Sequence, residues 1–122
     1  MIETIYSMID TTNHRLKWDI VVKVKSAKNK DFSGLYEEGN RKHIITIVDS
    51  TYHKNHTALL ETVLHELQHG KQVEHKKMKD LPHDAAFFRA LDRMLAKYGL
   101  PKVSKEDKKE ARKLGRLMGN SN

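Results

Sequence analysis

The chain contains no cysteine. That excludes disulfide scaffolds, thiolate-bound zinc and cysteine nucleophiles, and leaves His, Asp and Glu as the only strong metal ligands. A chain without cysteine suits a reducing cytosol. It also lacks any run near the roughly 18 apolar residues of a membrane span. Met1 to Trp18 carries acids and no apolar segment of the kind a signal peptide needs. The expectation is a cytoplasmic protein with no membrane partner. No internal repeat and no Gly/Ser- or Pro-rich linker interrupts the 122 residues, a length that suits one domain burying about two thirds of its unfolded surface.

Positive charge is plentiful, with 23 Lys+Arg against 16 Asp+Glu and a formal net charge of +7. Such a balance serves solubility and also suits an acidic partner, most commonly nucleic acid. Seven Lys/Arg and three Asp/Glu fall between Lys102 and Met118, a net +4. Ala111, Leu114, Leu117 and Met118 make a thin apolar stripe there, which predicts a marginal helix. The expected division is a folded domain over residues 1–101 and a basic, mobile tail over 102–122, with nucleic acid met through the basic surface and the tail.

Periodicity sets the elements. Ile2, Ile5, Tyr6 and Ile9 suggest a short first helix. Trp18, Ile20, Val22 and Val24 alternate with mostly polar residues and predict a strand, which places Trp18 in the core. Residues 34–48 read as a hairpin turning near Glu38-Gly39-Asn40. Leu60, Val63, Leu64 and Leu67 form the buried stripe of a helix from about Thr57 to about Glu74. Phe87, Phe88, Leu91, Met94, Leu95 and Tyr98 face the core from a second helix, which begins near Pro82 and is ended by Gly99 and Pro101.

Residues 65 to 69 read His-Glu-Leu-Gln-His. Residues four apart share one face of a helix, so both imidazoles can reach one zinc ion at about 2.0–2.1 Å. Glu66, offset by one position, can serve as general base toward water at the open coordination position, whose pKa zinc lowers to about 7. His83, which follows the linker and opens the next helix, is the favoured third ligand. His75 is the rival, at the spacing of an extended motif whose glycine position is occupied by Gln72; Glu74 is a weaker rival. His14, His43, His53 and His56 read as surface or loop residues. Tyr36 and Tyr52 are candidate oxyanion donors, although an ordinary partly buried tyrosine is the simpler reading of each.

These residues resemble those of the SprT-like metalloproteases, the group that includes Spartan. The likeness rests on His65-Glu66-Leu67-Gln68-His69 followed by Pro82-His83-Asp84-Ala85-Ala86-Phe87, and on Ser33-Gly34-Leu35-Tyr36 with His43 to Asp49 as the upstream hairpin. It covers about residues 31 to 98. The resemblance implies His65, His69 and His83 as zinc ligands and Glu66 as the catalytic acid/base; the expectation that the substrates include DNA-associated proteins rests on the basic surface and tail. Two departures stand out. Asp84 occupies the position of a usual glycine, and a C-terminal zinc ribbon has no cysteine to form from.

The expected fold is therefore α+β and zincin-like. A small, mainly antiparallel sheet packs on the zinc helix, and a second helix carries the third ligand. The expected function is that of a zinc (Zn2+) metalloendopeptidase. The competing readings are a non-proteolytic, zinc-containing nucleic-acid-binding module and a metal-dependent hydrolase of a non-peptide bond.

Overall fold

Alternating apolar residues build three strands: β1 (Asp19–Lys25), β2 (Gly34–Gly39) and β3 (Lys42–Val48). The structure is a computed structural model and describes residues 15–25, 34–48, 56–78 and 80–118. The expected helix over Ile2 to Asp10, and the residues His14, Tyr52 and His53, lie outside these, as does the side chain of His56. Strands β2 and β3 form the expected antiparallel hairpin, with Tyr36 opposite Ile45 and Gly39 opposite Lys42. Asn40 and Arg41 make its turn, Arg41 at a φ of 54°.

Strand β1 joins the far edge of β3 and runs parallel to it, with Ile20 opposite His43 and Val22 opposite Ile45. The order is β1-β3-β2, so the sheet is mixed rather than mainly antiparallel. Alternation identifies a strand and its buried face, but it does not determine which edge of a hairpin a third strand takes. Trp18 sits just before β1, half-buried, its ring stacked on His43 at 5.2 Å.

Helix α1 (His56–Lys76) packs on β2 and β3. Its Leu59, Val63, Leu64 and Leu67 are fully buried against Ile45 and Ile47 in one core. Two glycines set how closely it approaches the sheet. A Cβ on Gly70 would lie 3.0 Å from His43 Nδ1, and one on Gly34 would lie 2.6 Å from Thr62 Cγ2. A Cβ at Gly34 would force Thr62 to shift, and one at Gly70 would crowd the His43 ring.

Helix α2 (Ala85–Lys97) packs on α1 and presents Phe87, Phe88, Leu91, Met94 and Leu95 to the core. Asp84 caps it, accepting a hydrogen bond from Phe87 N at 2.8 Å. Its C-terminus closes as read, with Gly99 at a φ of 72° and Leu100 N bonded to Leu95 O. Helix α3 (Lys105–Met118) follows. Asp92 of α2 holds its start by accepting from Val103 N at 2.9 Å and from Lys108 Nζ at 3.1 Å. Among the described residues, no helix is long and apolar enough to cross a membrane.

His43 is fully buried, not a surface residue. Its Nε2 lies 3.0 Å from Glu74 Oε1 and its Nδ1 lies 2.8 Å from the Tyr36 hydroxyl. The tautomer protonated at Nε2 satisfies both contacts, donating to the carboxylate and accepting from the phenol. Glu74 also accepts from the backbone N–H groups of Lys17 and Trp18, at 2.7 and 2.9 Å. One carboxylate thus ties the start of β1, the middle of the sheet and the end of α1 together. Burial pushes the Glu74 pKa up, but the two backbone donors and His43 outweigh it, and the net shift is downward.

Replacing Glu74 with Ala leaves buried donors without an acceptor and is expected to destabilise the fold by at least about 2 kcal/mol in urea unfolding. The sign of the pH effect follows from the lowered folded-state pKa. Glu74's contribution is fully present above its ordinary value of 4.5 and is lost as pH falls through the lower folded value. Acid unfolding of the parent should therefore steepen below about pH 4.5, and that part of the slope should be absent in the variant.

Candidate metal centre

His65 and His69 stand one turn apart on α1, and His83 approaches them from the segment before α2. His83 Nε2 lies 3.2 Å from His65 Nε2 and 3.2 Å from His69 Nε2. One ring nitrogen from each of the three lies within 4.8 Å of the others. His69 and His83 are buried and His65 is half-buried. Nitrogens bound tetrahedrally to zinc at about 2.0–2.1 Å stand about 3.3 Å apart. The two 3.2 Å separations fit that spacing, so the three imidazoles can hold a metal ion. The donor set of three imidazoles suits zinc and also copper, nickel or iron.

Neighbouring groups orient the rings. His69 Nδ1 lies 2.7 Å from Gln72 Oε1, which can only accept. The proton therefore sits on Nδ1, and the Nε2 lone pair faces the centre. Gln72 Nε2 donates in turn to Pro82 O at 3.0 Å, so one side chain links His69 to the loop that carries His83. Beneath the rings lies Phe87, stacked on His69 at 4.6 Å and edge-on to His65 and His83 at 5.1 Å each. From α3, Arg112 Nε donates to the His83 carbonyl at 3.2 Å while its guanidinium lies over Phe88 at 5.5 Å.

His75, the rival ligand, is exposed, and its Nε2 lies 2.7 Å from Arg15 O, outside the trio. Glu74 is occupied by His43 and the backbone before β1. The Tyr36 hydroxyl is engaged by His43, and burial, with the charges of Glu38 and Glu74, pushes its pKa further above the ordinary range. It is therefore a structural phenol and not an oxyanion donor. Sequence reading took Gln72 only as a missing glycine, and had no role for Gly34 or Arg112. Gly34 and Arg112 owe their roles to partners distant in the chain, which no local pattern encodes, whereas Gln72 meets His69 three residues before it on the same helix.

Glu66 is buried at 3% exposure, and its Oε1 has no hydrogen-bond partner among the described residues. Desolvation pushes its pKa up to about 8. A cation among the imidazoles acts in the opposite sense and favours the ionised form. A Cβ on Gly34 would lie 3.2 Å from Glu66 Oε2, so this glycine keeps space open beside the carboxylate. Glu66 and His65 both line a cleft of about 500 Å³ that runs between α1, α2 and α3.

Gln72→Leu is expected to weaken metal binding about 10- to 100-fold, measured by competition with a chromophoric chelator. His75→Ala should leave the affinity unchanged. No family model, curated protein or solved structure matches this chain, so what it does is to be read from its own residues.

Proposed function

We propose that the chain is a zinc-dependent endopeptidase in which His65, His69 and His83 hold the metal and Glu66 is the general acid/base. The observation that carries this reading is the buried Glu66 carboxylate sharing the wall of an open cleft with His65, one of three converging imidazoles. A structural zinc site is normally closed by four protein ligands, whereas a catalytic one keeps a position open. Three is the number that converges here among the described residues. The resemblance of His65 to His69 and Pro82 to Phe87 to the SprT-like metalloproteases supports the same assignment, and with it a zincin-like fold.

When bound, zinc supplies a Lewis acid that polarises a carbonyl and makes water more acidic. The chain's own residues do the rest. Glu66 takes a proton from water in the cleft as that water attacks the peptide carbonyl, then delivers the proton to the departing amine. Its burial keeps bulk water away from the carboxylate during both transfers. Gln72 holds His69 in the tautomer that presents Nε2, and Phe87 fixes the planes of all three rings.

Glu66→Gln tests the reading. Peptide hydrolysis should fall by about 100- to 10,000-fold while the metal content of the purified variant stays that of the parent. Undiminished turnover would remove Glu66 from the mechanism. Loss of metal would instead give it a structural part.

A further inference from the structure

The cleft beside His65 and Glu66 has two chemically distinct parts. Phe88, Leu91 and Leu95 of α2 form one inner wall, and Val103 and Ala111 face them. The lining also holds the polar Thr62 and Ser104 and the charged Glu61, Asp107 and Lys102, two acids and one base in addition to Glu66. Its volume of about 500 Å³ lies within the range of about 300–1,000 Å³ typical of ligand pockets.

The second wall comes from the segment that composition marks as a basic tail. Two of its cations are already engaged: Lys108 pairs with Asp92, and Arg112 donates to the His83 carbonyl. Val103 N is held by the same Asp92. The wall is thus fastened at one end to α2 and at the other to the backbone of the third histidine. Val103 and Ala111 pack against the hydrophobic core from this position.

We infer that this cleft seats a large apolar side chain of the substrate, Leu, Met or Phe, directly beside the scissile peptide bond, and that Val103 and Ala111 set its size limit. The inference rests on the peptidase reading above. Continuity with Glu66 and His65 places the pocket next to the bond that would be cut. A charged side chain seated against Phe88, Leu91 and Leu95 would lose hydration to apolar contacts, which disfavours it. The apolar wall also explains why α3 is docked over α2 by named polar contacts: a specificity wall works only if it is held in place.

The test uses the full zinc-loaded chain and one peptide scaffold in which the residues flanking the scissile bond are varied in turn through Leu, Met, Phe, Ala, Glu and Lys. On one side of the bond, Leu, Met or Phe should raise kcat/KM about 10- to 200-fold over Glu or Lys. Ala111→Phe should lower the preference for Leu over Ala at least about tenfold. Val103→Phe, on a separate element, should do the same and guards against one variant failing to fold. The same peptides with an N-methylated scissile bond, titrated calorimetrically, should bind in the same order. Cleavage indifferent to these residues, or favouring charged ones, would overturn the apolar pocket and leave the peptidase reading standing. Apolar-selective binding without any cleavage would keep the pocket and overturn the peptidase reading.

Discussion

Three imidazole nitrogens converging in a largely buried space are the constraint on which the rest of the centre depends. Lone pairs directed at one another repel unless a proton or a cation stands between them. A proton bridges one pair of rings, whereas a cation can accept all three lone pairs at once. The 3.2 Å separations from His83 to both other rings suit a shared cation and equally a shared proton. Holding them requires rigidity in three separate elements, and the structure provides it: Gln72 between α1 and the Pro82 carbonyl, Phe87 beneath the rings, and Arg112 on the His83 carbonyl.

The centre in turn depends on how α1 meets the sheet. Gly34 and Gly70 let the helix come so close that an added Cβ would collide with Thr62 or crowd the His43 ring. His43 is the buried polar group that this approach creates, and it is satisfied at both nitrogens by Tyr36 and Glu74. Glu74 extends the network to the residues before β1. A histidine that reads in sequence as a surface residue is therefore a structural one. The same helix serves the fold through Glu74, which meets His43 of β3, and brings His65 and Glu66 to the cleft with His69 buried behind them.

Local pattern made much of this legible. The alternation of β1, the hairpin, the apolar stripe of α1 and the glycine stop of α2 all follow from period and turn chemistry. The pairing of His65 with His69 followed from helix geometry, and setting His75 aside followed from the missing glycine at Gln72. What escaped was non-local. Nothing in a strand's alternation says that β1 joins β3 in parallel. Nothing in a charge count says that Lys108 and Arg112 have partners at Asp92 and the His83 backbone. Asp84, which departs from the SprT-like pattern, has an ordinary backbone conformation and caps α2, so that difference is accommodated without strain.

X-ray absorption at the zinc edge on the metal-loaded protein tests the central claim most directly. The account predicts one zinc per chain with three imidazole nitrogens at about 2.0–2.1 Å, falling to two imidazoles in the His83→Ala protein. A protein that takes up no zinc, or a zinc shell that is unchanged when His83 is replaced, would contradict it.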